Sequence, residues 1–548
     1  MAQTRTGFSR RALLGGGAIV AVVGGAAFSL RGGPMRRTTY DAKTFNRGNG
    51  AEPDTLDPQK TQTSYENNIV GDMFMGLMTE DVAAQPTYGA AESLVESDDG
   101  LTYTFKIRDH TWSDGVPVTA HDFEFSFRRI LNPKTAAPYA SLLYPIVNAE
   151  KINGGKLPVS ALGVRAIDDR TLEMKFEFQV PYLRQLLTHY TCMPVPKHVV
   201  EKHGDQWLQP QNIATNGAYK LKEWVPNDHI TSVKNPRFYD ADNVHVETVN
   251  YYPVSDYAAA LKRFRAGEFD TNWGVPTSEI AWLRQNIPGA LHVAPYVGLN
   301  YIVFNVTKPP FNDVRVRQAV NMVIDREIIA DRVMNAGESP AYALVPPGVL
   351  NYPGKAAFGF KTMPMHERIA KAKALLAQAG YGPANPLHFA YSFQGTSDAR
   401  LVAVALQSMW AGVGMNVDLV SAETAVHYNQ LRRQQFAAAW AGWSADYLDA
   451  KDFLFIAQTS SKDMNNGSYS NPKFDSLVDE ADEIRDPAKR GVVLQQAEQI
   501  MLDDAALAPV FYTVSRNIVS RQVKNWVDNK LNINRTRYVL LDRTVADT

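Results

Sequence analysis

The sequence predicts a mixed α/β fold that is built from more than one domain. Its 548 residues are too many for one hydrophobic core, so two or three domains are expected. Segments with strand alternation and segments with helical spacing follow one another through residue 514. Hydrophobic residues make up 45% of the chain and charged residues 21%, which is ordinary for a soluble globular protein.

The first half of the chain supplies short strands and helices. Thr119 to Asp122 resembles a capping box with Asp in place of Glu or Gln, which predicts a helix over 123–131. A second helix is predicted from Asp256 to Ala266, where Gly267 ends it. Apolar residues at helical spacing also mark 68–77. The predicted strands are residues 43–46, 101–107, 220–225 and 249–254.

The second half begins with a predicted strand over 298–305 and a helix that runs to about Ile324. Its most informative segment is Phe436–Phe453. This segment opens as a short apolar run that is consistent with a buried strand, and Asp449 can cap a following helix through Phe453 to Ala457.

Within that segment, Gly442 leaves room beside the backbone, Trp443 offers a flat apolar surface and Asp446 adds a carboxylate. Together they suit an extended ligand that carries an amine and pairs with a strand edge. The alternative is that Trp443 belongs to the core and Asp446 is a turn or cap residue.

The N-terminus is typical of an export signal. Arg10 and Arg11 precede an uncharged, glycine-rich run from Ala12 to Leu30, which resembles a twin-arginine signal over residues 1–30. The alternative is a permanent membrane anchor, because the run is just long enough to span a bilayer. The whole chain has a formal net charge of −1, which gives no electrostatic reason to expect nucleic acid binding.

The sequence contains no recognisable catalytic or metal-binding motif. Cys192 is the only cysteine, which excludes an intramolecular disulfide, and its apolar context favours a buried structural thiol. His198 and His203 are five residues apart, a spacing that does not align two ligands on one helix face. We find no His-Glu-x-x-His, Gly-x-Ser-x-Gly, phosphate-loop or calcium-loop pattern. We therefore expect no enzyme, no metal and no cofactor, although a secreted hydrolase stays an alternative.

Five blocks in order resemble the periplasmic oligopeptide-binding proteins of ABC importers, from about Phe45 to the C-terminus. They are Glu52–Pro58, Trp112–Phe123, Asn216–Tyr219, Pro309–Arg317 and Ala441–Tyr447. The resemblance implies a two-lobed, three-domain fold with mixed sheets that closes over its ligand about a hinged cleft.

In that fold, domain I would combine residues 38–72, 199–298 and 515–548. Domain II would be residues 73–198, and domain III residues 299–514. The family captures short peptides in the periplasm, delivers them to the membrane permease subunits of an ABC transporter, and does no chemistry on them. A monomer is expected.

The resemblance also assigns ligand contacts. Asp446 falls where the family's carboxylate binds the peptide α-amino group, and Trp443 matches the tryptophan beside it. Gly442 and Ser444 match positions whose backbone pairs with the peptide. Thr63 and Ser64 match an opposite strand that also bonds the peptide backbone, and Tyr139 and Tyr296 match tyrosines near the ligand. For Thr63, Ser64 and Tyr139, packing alone is the alternative role.

The sequence departs from the family where the far end of the peptide would be bound. Trp440 replaces an arginine, Met334 replaces a lysine and Val303 replaces an acid. Arg400 lies near a basic position of the family and is a candidate for the missing cation. The alternative is that Arg400 is an ordinary solvent-exposed arginine on a helix. The departures leave a second reading open, in which the same fold binds a modified peptide, a metal chelate or an opine-like compound.

Overall fold

The computed structural model describes residues 42–462 and 464–545. The predicted export segment at residues 1–30 lies outside these ranges. Within them, no helix has both the length and the apolar character needed to cross a membrane.

Nineteen strands are formed by the described residues, and eleven of them join one large sheet. In chain order, the strands are β1 (Thr44–Gly48), β2 (Met78–Glu80), β3 (Pro86–Tyr88), β4 (Ala91–Glu96), β5 (Thr102–Ile107), β6 (Val164–Asp168), β7 (Thr171–Lys175), β8 (Tyr219–Val225), β9 (His229–Lys234), β10 (Thr248–Tyr252), β11 (Thr271–Trp273), β12 (Leu291–Phe304), β13 (Ser339–Pro340), β14 (His388–Gln394), β15 (Asn416–Ala422), β16 (Ala438–Ser444), β17 (Leu507–Val519), β18 (Val523–Lys524) and β19 (Leu540–Leu541).

The large sheet has the strand order β15-β14-β16-β12-β17-β11-β1-β10-β9-β8, and β13 pairs with β17 beside this path. The sheet is mixed. Strand β1 runs parallel to β10 and β11, and β14 runs parallel to β15 and β16, whereas the remaining pairs are antiparallel. The predicted α/β class with mixed sheets is confirmed.

Fifteen α-helical segments accompany the strands in the described part of the chain. They are α1 (Ser64–Met73), α2 (Ala120–Leu131), α3 (Ala149–Asn153), α4 (Leu183–Leu186), α5 (Lys197–His203), α6 (Tyr257–Arg265), α7 (Ile280–Asn286), α8 (Val314–Met322), α9 (Arg326–Ile328), α10 (Met365–Gln378), α11 (Ser397–Ala411), α12 (Thr424–Arg432), α13 (Lys451–Leu454), α14 (Pro472–Glu483) and α15 (Pro487–Asp503).

Two helices show how local sequence sets an element boundary. Helix α2 has the predicted capping box, in which Thr119 and Asp122 bond reciprocally. Helix α1 begins four residues before the predicted start at 68, because Thr63 and Glu66 form a capping box that the apolar spacing alone did not reveal. Asp449 accepts a bond from the Lys451 N–H (2.9 Å), but the N-cap of α13 is Ala450 and the helix begins two residues before the predicted Phe453.

Two long strands connect the predicted domains I and III. The boundaries expected at 298/299 and 514/515 fall inside β12 and β17, which pair with each other on both sides of an irregular step between Pro295 and Leu299. The rest of domain III, including β14, β15 and β16, extends the same sheet. Two adjacent strands with a local irregularity are a natural place for a hinge.

The predicted domain II contributes a separate four-stranded sheet, β4-β5-β7-β6, against which α2 packs. Phe105, Leu172 and Phe123 from these elements are fully buried. Cys192 lies in the same core, and burial raises the pKa of its thiol to about 12. The thiol therefore stays protonated at neutral pH, which agrees with a structural role.

Candidate ligand-binding cleft

A cavity of about 450 Å³ opens where the predicted domains face one another. One wall comes from the start of α1, a second from residues 139 and 188–190, and a third from β12, β16, α12 and β17. Eight of the ten predicted ligand contacts line it: Thr63, Ser64, Tyr139, Tyr296, Gly442, Trp443, Ser444 and Asp446.

Strand β16 presents an open edge to this cavity. The Ala437 carbonyl accepts from the Asn305 N–H (2.9 Å), and the Ala445 N–H donates to the Val297 carbonyl (2.8 Å), so odd-numbered residues turn their main-chain groups toward β12. Because that direction alternates along a strand, Gly442 and Ser444 turn theirs to the other side. There β14 pairs with β16 only as far as Ala439.

The open edge is short. At one end, the Trp440 carbonyl accepts a bond from Nε2 of His427 on α12 (2.8 Å). The imidazole ring of His427 therefore occupies the position that a ligand strand would need. At the other end, β16 finishes at Ser444 and Asp446 follows in a bend. The edge therefore offers the main-chain groups of Gly442 and Ser444. A Cβ at position 442 would lie 3.0 Å from Asn300 Oδ1, a tight contact that the glycine avoids.

Asp446 is a mostly buried carboxylate with incomplete hydrogen bonding. Its Oδ1 lies 3.3 Å from His189 Nε2, and its Oδ2 is enclosed without a donor among the described residues. Its own N–H donates to Asp452 Oδ2 (3.1 Å). Burial, and next the charge of Asp446, raise the pKa of Asp452 well above its usual range. A buried carboxylate such as that of Asp446 is stabilised by a cation, and the ammonium group of a ligand can supply one.

Aromatic rings surround this carboxylate. Trp443 Nε1 donates to Asp452 Oδ2 (3.2 Å), while its ring lies 6.5 Å from the ring of Tyr139 across the cavity. The Tyr139 ring also contacts the rings of His189 (5.1 Å) and Tyr190 (5.9 Å). Burial and then the charge of Asp446 raise the pKa of the Tyr139 hydroxyl well above its usual value. These rings keep water away from the carboxylate.

His189 and Asp452 are site residues that the sequence analysis missed. His189 is buried, and its Nδ1 lies 2.8 Å from Thr191 Oγ1 and 3.4 Å from the Thr191 N–H. Because Nδ1 accepts from the Thr191 N–H, Nε2 is the ring nitrogen that carries a proton, and it faces Asp446. No local pattern marks His189, because its partner is 257 positions away in the sequence. Asp452 follows Asp446 by six residues and was not distinguished from ordinary helix-start acids.

Thr63 and Ser64 line the cavity, but they do not form the strand that the resemblance implies. Thr63 is the N-cap of α1: its N–H and hydroxyl both donate to Glu66 Oε2. Ser64 is the first residue of that helix, and its hydroxyl interacts with the Tyr296 side chain, which also contacts Ser444. The capping box overrides strand geometry here because it satisfies donors at the start of α1.

The candidate cation and the three residues that replace charged residues of the family do not line the cavity. Trp440 is buried with its ring 5.7 Å from that of Phe511, and Met334 and Val303 are also core residues. Arg400 is exposed on α11. Instead, Arg432 and Arg516 are the arginines of the described chain that line the cavity. The described ranges also hold no cluster of His, Cys, Asp and Glu side chains suited to a metal ion.

Comparison with known proteins places this geometry in a family. Residues 85–465 match the middle region of the bacterial extracellular solute-binding proteins, family 5. The chain is 38% identical over 524 residues to the periplasmic oligopeptide-binding protein OppA of Salmonella typhimurium, which covers 95% of each protein.

Two further similarities bear on the ligand. The chain is 38% identical over 498 residues to the probable deoxycholate-binding periplasmic protein YgiS of Escherichia coli, covering 90% of this chain and 92% of that protein. Among solved structures, it matches Haemophilus influenzae OppA in complex with the peptide RPPGFSPFR at a TM-score of 0.87 and 33% identity, covering 91% of this chain and 99% of the other.

Proposed function

This chain belongs to the bacterial extracellular solute-binding proteins of family 5, and on that premise we propose that it captures short peptides and delivers them to an ABC transporter. The peptide lies extended in the cleft and adds a strand to the open edge of β16. Its ammonium pairs with Asp446, while its main chain bonds to Ser444 and Gly442.

One observation carries this proposal. A strand edge with outward main-chain groups ends directly at a mostly buried carboxylate, Asp446, whose Oδ2 has no donor among the described residues. A strand edge recognises any peptide main chain regardless of side chains, and the carboxylate selects the end that bears the amine. The remaining cavity volume accommodates side chains together with water.

The wider assignment follows the family. The protein acts as a monomer in the periplasm, and its partners are the permease subunits of an importer. It does no chemistry on its ligand and uses no cofactor. The division into domain I (38–72, 199–298, 515–548), domain II (73–198) and domain III (299–514) supports opening and closing about β12 and β17.

We also propose that export follows the twin-arginine route, for which Arg10 and Arg11 are the support. Replacing both by lysine should retain the protein in the cytoplasm of fractionated cells. Unchanged appearance in the periplasm would contradict this route.

A second candidate is a solute that is not an ordinary peptide, such as a modified peptide. The similarity to YgiS supports it, as does the loss of the family's cations at Trp440 and Met334. The position of Asp446 disfavours an anionic group at that end of the cleft, since two carboxylates would be buried side by side.

Identifying the bound ligand separates the two candidates. Purified protein would be denatured, and the released small molecules would be analysed by mass spectrometry. Recovered peptides of a few residues with free amino termini are the expected result. Recovery of a steroid acid or another molecule without an amine would favour the second candidate, and recovery of cleaved ligand after long incubation would favour a hydrolase.

A further inference from the structure

A pair of stacked tyrosines joins the predicted domains II and III outside the ligand cavity. The ring of Tyr182, the N-cap of α4, lies on the ring of Tyr447, with 4.6 Å between the ring centroids and 8° between the ring planes. Tyr447 directly follows Asp446 in the bend after β16. Neither tyrosine lines the cavity, and their side chains are only 4% and 3% exposed. A ligand in the cavity therefore has no need to displace this stack.

An arginine of α15 contacts the same ring of domain II. Arg490 Cζ lies 5.4 Å from the centroid of the Tyr182 ring, which is within the range of a cation–π contact. Arg490 Nη1 is held by Asp449 Oδ2 (2.6 Å), while its Nε and Nη2 have no hydrogen-bond partner among the described residues. Tyr182 thus makes two favourable contacts with domain III, one with an aromatic ring and one with a cation.

A second cation of domain III contacts an aromatic ring of domain II nearby. Lys451 Nζ lies 5.2 Å from the centroid of the Phe178 ring, and the same ammonium is paired with Asp482. Phe178 and Lys451 do not line the cavity either. We call the following residues together the interdomain contact: Phe178, Tyr182, Tyr447, Lys451 and Arg490.

A small gap beside Tyr182 indicates that the two walls can separate here. A cavity of about 90 Å³ is lined by Pro181, Tyr182 and Gln185 from domain II and by Asp449 and Arg490, among others, from domain III. Protein cores are close-packed and contain few gaps larger than a water molecule. The gap therefore marks a boundary between two surfaces that meet, and not the interior of one continuous core.

The interdomain contact differs from the contacts inside the ligand cavity. His189 with Asp446 and Arg432 with Gln62 lie on residues that line the cavity, so a bound ligand competes with them. The stack of Tyr182 and Tyr447 can form equally well whether the cavity is empty or filled. It must break when the cleft opens, because its two rings belong to opposite walls.

We propose that the interdomain contact is a latch that stabilises the closed cleft independently of the ligand. The inference rests on the proposed function in one respect, since it assumes a ligand that enters an open cleft and is bound in the closed one. The apparent affinity of such a ligand scales with the closed fraction of the free protein. The latch therefore raises the affinity for every ligand by one common factor, whereas Asp446 and the edge of β16 select among ligands.

The closed fraction can be measured without ligand by pulsed electron paramagnetic resonance between two spin labels. The labels would be attached at Lys156→Cys and Lys473→Cys, which are exposed positions of the predicted domains II and III. Cys192 is buried and does not compete for the label. The distance between the two sites in the present structure identifies the closed conformer.

Four variants in this labelled background, stripped of ligand, would be compared with the unaltered chain. Tyr182→Leu removes the ring, and Tyr182→Phe keeps it. Tyr447→Leu removes the partner ring on the other wall. Tyr239→Leu is the matched control, because the Tyr239 ring also contacts an arginine, Arg108 (4.1 Å), but joins the predicted domains I and II.

We expect Tyr182→Leu to lower the ratio of closed to open protein by about threefold to tenfold, since it removes the stack and the cation–π contact. Tyr182→Phe and Tyr239→Leu should keep the ratio of the unaltered chain. Tyr447→Leu should lower it as well, and the double variant with Tyr182→Leu should fall no further than Tyr182→Leu alone, because one interaction is lost in both.

An unchanged ratio in Tyr182→Leu would overturn the inference, as would the absence of closed protein in the unaltered, ligand-free chain. Calorimetric titration with tripeptides of different side chains gives a second readout. Tyr182→Leu should weaken all of them by the same factor, and a loss that depends on the side chain would mean that Tyr182 acts on the cavity itself. If no peptide bound to wild type, the proposed function would fail, while the distances in ligand-free protein would still decide the inference.

Discussion

At the scale of single residues, eight of the ten residues proposed from the sequence line the cavity, whereas His189 and Arg432 line it without having been proposed. Gly442, Trp443 and Ser444 at the end of β16 and Asp446 just after it all line the cavity. His189 and Arg432 reach the same cavity from distant segments, so no spacing could announce them. Arg400, the candidate cation near a basic position of the family, is exposed to solvent on α11.

Thr63 tests the distinction between lining a cavity and binding through a side chain. Its hydroxyl is engaged with Glu66 in the capping box. Replacement by alanine should therefore lower the free energy of unfolding by about 1 kcal/mol in urea denaturation and change peptide affinity little. Thr63→Ser should restore stability. A large loss of affinity in Thr63→Ala at unchanged stability would show that the hydroxyl binds the ligand.

At the scale of elements, capping boxes and apolar runs predicted which segments form helices and which form strands. The lengths of the strands depend on pairing with distant segments, which the sequence does not reveal. Strand β12 starts at Leu291, seven residues before its predicted start, because the segment up to Pro295 pairs with β17. The open edge of β16 could not be predicted, since it depends on how far β14 extends and on where His427 lies.

Helix α15 carries a pH-dependent contact with the loop that follows β13. Glu498 is fully buried, and it accepts bonds from the N–H groups of Leu344 (2.6 Å) and Val345 (2.8 Å) and from the Tyr352 hydroxyl. Burial outweighs these bonds and raises the pKa of the Glu498 carboxyl from 4.5 to about 7. Since the folded-state pKa is raised, the carboxyl favours the folded state below about pH 4.5, and this contribution is lost as the pH rises to about 7.

Glu498→Gln should remove that dependence. A shift of this size corresponds to about 3 kcal/mol between pH 4 and pH 8, so wild type should lose about this much stability relative to the variant. Urea denaturation at several pH values would measure it. Glu483→Gln, an exposed change at the end of α14, serves as the control and should follow wild type. Parallel curves for wild type and Glu498→Gln would contradict the assignment.

At the scale of the whole molecule, contacts across the cleft join walls from different parts of the chain. They include Arg432 with Gln62, His189 with Asp446 and Tyr139 with Trp443. An extended peptide would have to separate these contacts to enter, and we expect the walls to rotate about β12 and β17 as it does so. The five sequence blocks that resemble the family predicted a two-lobed fold with a hinged cleft. The contacts that join the walls of the cleft could be identified only in the structure.

Ligand should therefore make the protein more compact. The protein would first be stripped of any bound ligand and then measured by small-angle X-ray scattering with and without saturating peptide. The radius of gyration should be smaller with peptide. Arg433→Gln, an exposed change at the end of α12, should behave like wild type, and Asp446→Asn at the same peptide concentration should stay extended. An identical radius of gyration for wild type in both conditions would argue against closure.

The central claim is that Asp446 pairs with the ammonium of a bound peptide. Asp446→Asn keeps the shape of the side chain and removes its charge, while Asp452→Asn makes the isosteric change at the neighbouring carboxyl, which does not line the cavity. Loss of one partner of a buried ion pair costs about 2–5 kcal/mol, or roughly thirtyfold or more in affinity.

Calorimetric titration of a tripeptide and its N-acetylated form against wild type and both variants decides the matter. Wild type and Asp452→Asn should bind the free amine and bind the acetylated form poorly. Asp446→Asn should bind the free amine about thirtyfold more weakly or worse and discriminate little between the two forms. A preserved preference for the free amine in Asp446→Asn would contradict the account.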